Sequence, residues 1–108
     1  MATYLLQGTY TSEAWAAQVR NPQNRVEEVR SVIGRLGGRL ESTYLAFGEY
    51  DVVAIVEMPD NVSMAAFALA VAAGGAVTAL KTTPLLTIEE GIEAMRKASG
   101  TGYRPPGS

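Results

Sequence analysis

In Phe47-Gly48-Glu49-Tyr50-Asp51-Val52-Val53, two carboxylates and a phenol stand directly before a run of β-branched residues. In that order Asp51 can act as a base or acceptor, Tyr50 as a hydrogen-bond donor and Glu49 as a second carboxylate. A carboxylate half-buried beside apolar strand residues can have its pKa raised toward neutrality, where proton transfer is efficient. Tyr50 and Asp51 are therefore the candidate catalytic pair. The same residues also make a turn, because Gly48 adopts conformations that other residues avoid and Asp side chains bond nearby backbone N–H groups. Turn chemistry is the stronger of the two readings.

A second group could line a binding site. Tyr10 and Trp15 fall where a first strand gives way to a helix, and with Tyr44 or Tyr50 they would wall a flat apolar pocket between helices and sheet. The competing assignment makes Trp15 a core residue with its indole N–H bonded. Lys81 stands among Val77, Ala79 and Thr83 if the last strand alternates strictly. Buried against Glu57 or Asp51 it would form an ion pair or a tuned amine, and at an exposed strand end it would be neither.

The 108 residues include no Cys and no His. That removes disulfides, thiolate nucleophiles, an imidazole base, the usual zinc sites and His- or Cys-ligated haem. Any chemistry rests on carboxylates, Tyr, Lys, Arg, hydroxyls or a bound organic molecule; no metal site and no resident cofactor is expected. The net charge of −2 gives no reason to approach nucleic acid or an anionic membrane. Arg20, Arg25, Arg30, Arg35 and Arg39 recur at steps of four or five, but that step drifts around a helix and Glu27 and Glu28 interrupt it, as on a solvated mixed-charge face. With no leader and no long apolar run, a cytoplasmic protein is expected.

Several elements must position these residues. Thr3–Thr9 is rich in Tyr, Leu and Thr and reads as a strand. Ser12 can cap a helix that carries Trp15 and Val19 one turn apart, and after the break at Asn21-Pro22-Gln23 the helix resumes. Val26, Val29, Ile33 and Leu36 then form one apolar stripe, stopped by Gly37-Gly38. "RLESTYLAF" and "VVAIVEM" flank the Gly48–Asp51 turn as a hairpin. "NVSMAAFALAVAAGG" is a helix with Met64, Phe67 and Val71 at helical spacing, and "AVTALKTT" is a strand ended by Pro84. Thr87 and Glu90 make a capping box for a short last helix bearing Ile88, Ile92 and Met95.

The order β-α-β, β-α-β, α predicts an α+β, ferredoxin-like βαββαβ domain over residues 1–98. Four antiparallel strands would carry two long helices on one face, with a short C-terminal helix and a flexible tail over 99–108. On the third strand Val52, Ala54, Val56 and Met58 face one way while Val53 and Ile55 face the other. Helices can cover one face only, so the other is expected to meet a second copy, giving a sheet-on-sheet homodimer.

The chain from Asn21 to Val77, continued through "LKTTPLLTIEEGIEAMRKA", resembles the GYD-domain family, whose naming tripeptide stands here as Gly48, Tyr50 and Asp51 with Glu49 inserted. The resemblance implies a dimeric α+β barrel. It carries no agreed catalytic residues, and the wider barrel group spans cofactor-free monooxygenases, muconolactone isomerases, haem enzymes and stress-response proteins. The absence of a proximal His weighs against the haem branch. The expectation is a homodimer binding a small apolar or aromatic organic molecule in a pocket of each subunit, with any catalysis cofactor-free. The alternative is a non-enzymatic assembly or regulatory interaction module.

Overall fold

The computed structural model describes residues 1–107. The elements are β1 (Ala2–Tyr10), α1 (Ser12–Arg20), α2 (Val26–Arg35), β2 (Arg39–Leu45), β3 (Val52–Met58), α3 (Asn61–Ala73), β4 (Val77–Leu85) and α4 (Ile88–Ser99). The strands form one antiparallel sheet in the order β2-β3-β1-β4, the ferredoxin-like arrangement. Both crossovers run over the same face. Alternation along β1 and β3 sends Tyr4, Leu6, Ala54, Val56 and Met58 under the helices, where they are buried with Leu40, Ile33, Met64 and Phe67.

Local chemistry sets most of the boundaries. Thr11, not Ser12, caps α1, its hydroxyl accepting from Ala14 N–H at 3.0 Å. The expected interrupted helix is two separate helices, because the stretch from Asn21 to Arg25 leaves helical geometry altogether. Gly37, at φ +83°, ends the turn after α2, and a Cβ on Gly38 would lie 2.4 Å from both the Glu57 carbonyl and the Met58 sulfur. Asp60 caps α3 by accepting from Ser63 N–H at 2.8 Å. The Thr87–Glu90 capping box of α4 is present in both directions.

Strand ends shift from expectation: β1 gains a residue at each end, β2 stops at Leu45 short of Ala46-Phe47, and β4 runs longer. Pro84 does not end β4 but lies within it, paired across from Tyr4, and β4 runs on to Leu85. An edge strand tolerates proline because one side of its backbone has no ladder to complete, and β4 is such an edge.

The C-terminal region stands apart from this core. α4 buries no residue and makes no substantial contact with the sheet or the other helices. Its apolar positions Ile88, Ile92 and Met95 are 78%, 41% and 70% exposed. The molecule is correspondingly long, 59 × 33 × 22 Å with a radius of gyration of 17.5 Å, against about 13 Å for a compact chain of this size. Ser99, expected to open the tail, still belongs to α4, and Ser108 lies outside the described residues.

Candidate functional site

Between β2 and β3 the chain runs from Ala46 to Asp51, and this connection is bolted onto β1. Asp51 donates its N–H to the Gly8 carbonyl at 2.8 Å, and its own carbonyl accepts from Ala46 N–H at 2.7 Å. Asp51 Oδ2 accepts from Tyr10 N–H at 2.9 Å and from the Trp15 indole N–H at 3.1 Å. The Thr9 hydroxyl donates to the Glu49 carbonyl at 3.2 Å. Tyr10, Trp15 and Asp51 thus converge from β1, α1 and the hairpin. The two rings pack edge to face, centroids 5.2 Å apart and planes at 73°. Asp51 satisfies the buried side of this junction, with its carboxylate committed to two donors.

Beside that junction a cavity of about 590 Å³ opens under the helices. It lies within the range of about 300–1,000 Å³ usual for small-molecule sites. The reason lies in how the helices divide the sheet: α2 leans on β2 at one edge and α3 on β4 and β3 toward the other, so they diverge over its centre. Val26, Val29 and Ile33 of α2 face Phe67 and Val71 of α3 across the gap. Leu6, Ala54 and Val56 of the central strands form the floor, and Val77 and Leu80 of β4 add to the wall. Polar groups gather where Gln18 of α1 and the stretch from Pro22 to Arg25 border it, together with Tyr10 and Thr43.

Tyr10 and Tyr44, both anticipated as pocket residues, border this cavity. Trp15 supports it through Tyr10, and neither Tyr50 nor Lys81 lines it. Lys81 is exposed across from Gln7, with no carboxylate paired to it among the described residues. Glu57, its envisaged partner, is bound instead by Arg39. Sequence reasoning missed Gln18, Asn24 and Arg25. The available signal was the Asn-Pro-Gln-Asn break itself, which halts α1 and carries the next four residues past the open end of the helical layer.

The electrostatics at the opening are simple. Burial raises the Tyr10 phenol above its ordinary value, with the Arg25 guanidinium opposing and the Asp51 charge adding to the shift. Arg25 itself pairs at the surface with Glu28. Among the described residues no three carboxylates gather where they could hold a metal ion. No helix among them is long and apolar enough to cross a membrane.

Comparison with known proteins agrees with this architecture. The GYD domain model matches residues 4–95. The chain is 33% identical over 78 residues to the glutamine synthetase and cystathionine beta-lyase binding protein of Thermus thermophilus, covering 71% of this chain and 81% of that one. Among solved structures it is similar to FFRP-DM1, with a TM-score of 0.53 at 15% identity, over 80% of this chain and all of the other. The structural likeness supports the fold alone.

Proposed function

The chain belongs to the GYD-domain family, and on that premise we propose that it is a homodimeric binding protein whose subunits each take a small apolar or aromatic organic molecule between α2 and α3. The observation that carries this reading is the cavity of about 590 Å³, walled mostly by apolar side chains and bordered by a few polar groups. Any turnover would be cofactor-free, and the candidate pair Tyr50 and Asp51 would have to act from outside the cavity lining. A cytoplasmic setting is part of this proposal, and a chain without Cys is compatible with it. The experiment is native mass spectrometry of protein purified from its own host and gently desalted. A dimer carrying a defined small-molecule mass supports the reading. An apo protein whose melting temperature is unmoved by a broad panel of aromatic and aliphatic compounds argues against it.

The dimer is proposed on the free face of the sheet. Leu5, Val53 and Ile55 lie adjacent there by register, with Leu85 on the same face, opposite the side that the helices cover. A second sheet laid on them would complete a barrel and remove this apolar surface from water.

A second reading is favoured by a separate observation. The relative from Thermus thermophilus is named for binding two enzymes, and α4 presents Ile88, Ile92 and Met95 without substantial packing against another element among the described residues. An amphipathic helix held off the body suits a protein–protein contact. Purified glutamine synthetase mixed with this protein and resolved by size exclusion tests it. Co-elution abolished by Ile92→Asp supports the module, and independent elution at micromolar concentrations of both argues against it.

A further inference from the structure

We propose that the occupant of the cavity is an amphipathic monocarboxylic acid, its acyl or aryl body between α2 and α3 and its carboxylate at the opening against Arg25 and Tyr10; this rests on the binding reading above. Three observations select an acid. First, Arg25 is the one charged side chain among the lining residues, and no Asp or Glu lines the cavity, although acids outnumber bases in the chain. A cationic ligand would meet a like charge there, and a neutral one would gain nothing from the guanidinium's charge.

Second, Tyr10 supplies a free donor. Its backbone N–H is taken by Asp51, but among the described residues no hydrogen bond engages its hydroxyl, and burial keeps that hydroxyl protonated. Tyr10 and Arg25 line the same cavity, and a phenol O–H together with a guanidinium can serve the two oxygens of a carboxylate. Third, the charge at the opening suits one negative charge and not two. Glu28 pairs with Arg25, and Glu27 pairs with Arg30 one turn further along α2. Both acids lie in the first turn and would oppose a phosphate dianion. The Arg25–Glu28 pair is solvent-exposed on both sides, a class of ion pair with little net stability, so a ligand carboxylate can share or take over the guanidinium.

The remaining groups at this end, Gln18, Gln23 and Asn24, are neutral. The Asn24 side chain is occupied on its oxygen, which accepts from Val26 N–H at 3.0 Å, leaving its amide N–H groups to face an acceptor. Each polar side chain bordering the opening can therefore donate, and no acidic residue lines the cavity.

Trp15 is the single tryptophan and packs on Tyr10, so its emission reports on occupancy directly. The test is titration of the full chain, below micelle-forming concentrations, with decanoate, decan-1-ol and decylamine, followed by Trp15 fluorescence and by calorimetry. The expected result is one decanoate per chain, bound about tenfold or more tighter than decanol, the factor one charge-assisted hydrogen bond supplies, with decylamine weakest. Arg25→Gln, a surface change confirmed as folded by circular dichroism, should bring decanoate down to the affinity of decanol and leave decanol unchanged. Tyr10→Phe should lose part of the preference. Equal binding of decanoate and decanol would overturn the acid and leave the cavity reading standing. A decanoate preference that survives Arg25→Gln would overturn the assignment of the carboxylate to this opening. Failure of all three probes, with no change in Trp15 emission or heat, would overturn both the acid and the cavity that it rests on.

Discussion

Replacing Asp51 by Ala removes one carboxylate and strands two donors, the Tyr10 backbone N–H at 2.9 Å and the Trp15 indole N–H at 3.1 Å. A hydrogen bond to a charged partner contributes about 1.5–3 kcal/mol, and a donor left without a partner in a buried setting costs about 1–3 kcal/mol. Asp51 is only half-buried, so the lower end of each range applies, and two such bonds together give a loss of about 3 kcal/mol. For a chain of roughly this size that is a fall in Tm of roughly 12–24 °C. Asp51→Asn keeps one acceptor oxygen and should lose only about 1–2 kcal/mol. Urea unfolding at fixed protomer concentration, read by far-UV circular dichroism and Trp15 emission, measures both variants. The emission of folded Asp51→Ala should also change, since the indole loses its acceptor. A loss under about 0.5 kcal/mol with unaltered emission, the behaviour of an ordinary surface substitution, would refute the fastening role and return Asp51 to the list of groups free for chemistry.

Gly38→Ala forces a Cβ to 2.4 Å from the Glu57 carbonyl and the Met58 sulfur, so urea titration should show a loss at or above the upper end of the ~1–3 kcal/mol usual for overpacking. The Ser63 N–H holds the Asp60 carboxyl below its ordinary range. Its contribution is therefore present above the unfolded carboxylate pKa and lost as pH falls through the lower folded value, and Asp60→Asn should flatten the acid limb of a Tm-versus-pH curve. Tyr10 has the opposite sign: its raised pKa contributes stability below the ordinary tyrosine range that is lost as pH rises through the folded value, so Tyr10→Phe should flatten the alkaline limb. Ile55→Lys places a charge on the free face of the sheet beside Leu5, and if the proposed dimer forms there, sedimentation velocity should show a dimer for the parent chain and a monomer for the variant.

The sequence made the sheet legible because both of its faces leave a period-two record, as in Val52 to Met58, and because the Gly pairs and the Thr87–Glu90 box mark helix ends by local chemistry alone. It was less informative where two residues compete for one role. Thr11 and Ser12 both carry a capping hydroxyl, and only the β-region backbone of Thr11 decides between them. Pro84 looked like a strand end because an edge cannot be told from a central strand before the strand order is known. The aromatic pair Tyr10 and Trp15 stands out because large rings at an element junction are conspicuous, whereas the Asp51 carboxylate, read as bonding N–H groups of its own turn, reaches the distant Tyr10 N–H and Trp15 indole instead. What escaped was Arg25, one of five regularly spaced arginines. Nothing in its spacing separates it from Arg20 or Arg30, and it borders the cavity only because the chain leaves α1 at Asn21.

That cavity also bears on stability. Met58 and Met64 are fully buried and lie outside the cavity, whereas Val71 and Leu80, which line it, are only partly buried. Side chains lining a void forgo contacts on one side, so a chain selected for stability alone would close this one with a larger residue. Ala54 on its floor is the natural place. Ala54→Leu adds apolar carbons into existing space and should stabilise the unliganded protein by about 1–2 kcal/mol, while abolishing any ligand-induced rise in Tm. In the parent chain, ligand at about 100 times its Kd should give a comparable gain of about 2.7 kcal/mol, because it binds only the folded state. Thermal melts of both proteins, with and without decanoate, separate the cases. A stabilised Ala54→Leu that no longer responds identifies the void as a space kept for an occupant. A variant destabilised by more than about 1 kcal/mol, as in overpacking, that still responds to ligand would mean that the floor is already closed and that binding occurs elsewhere.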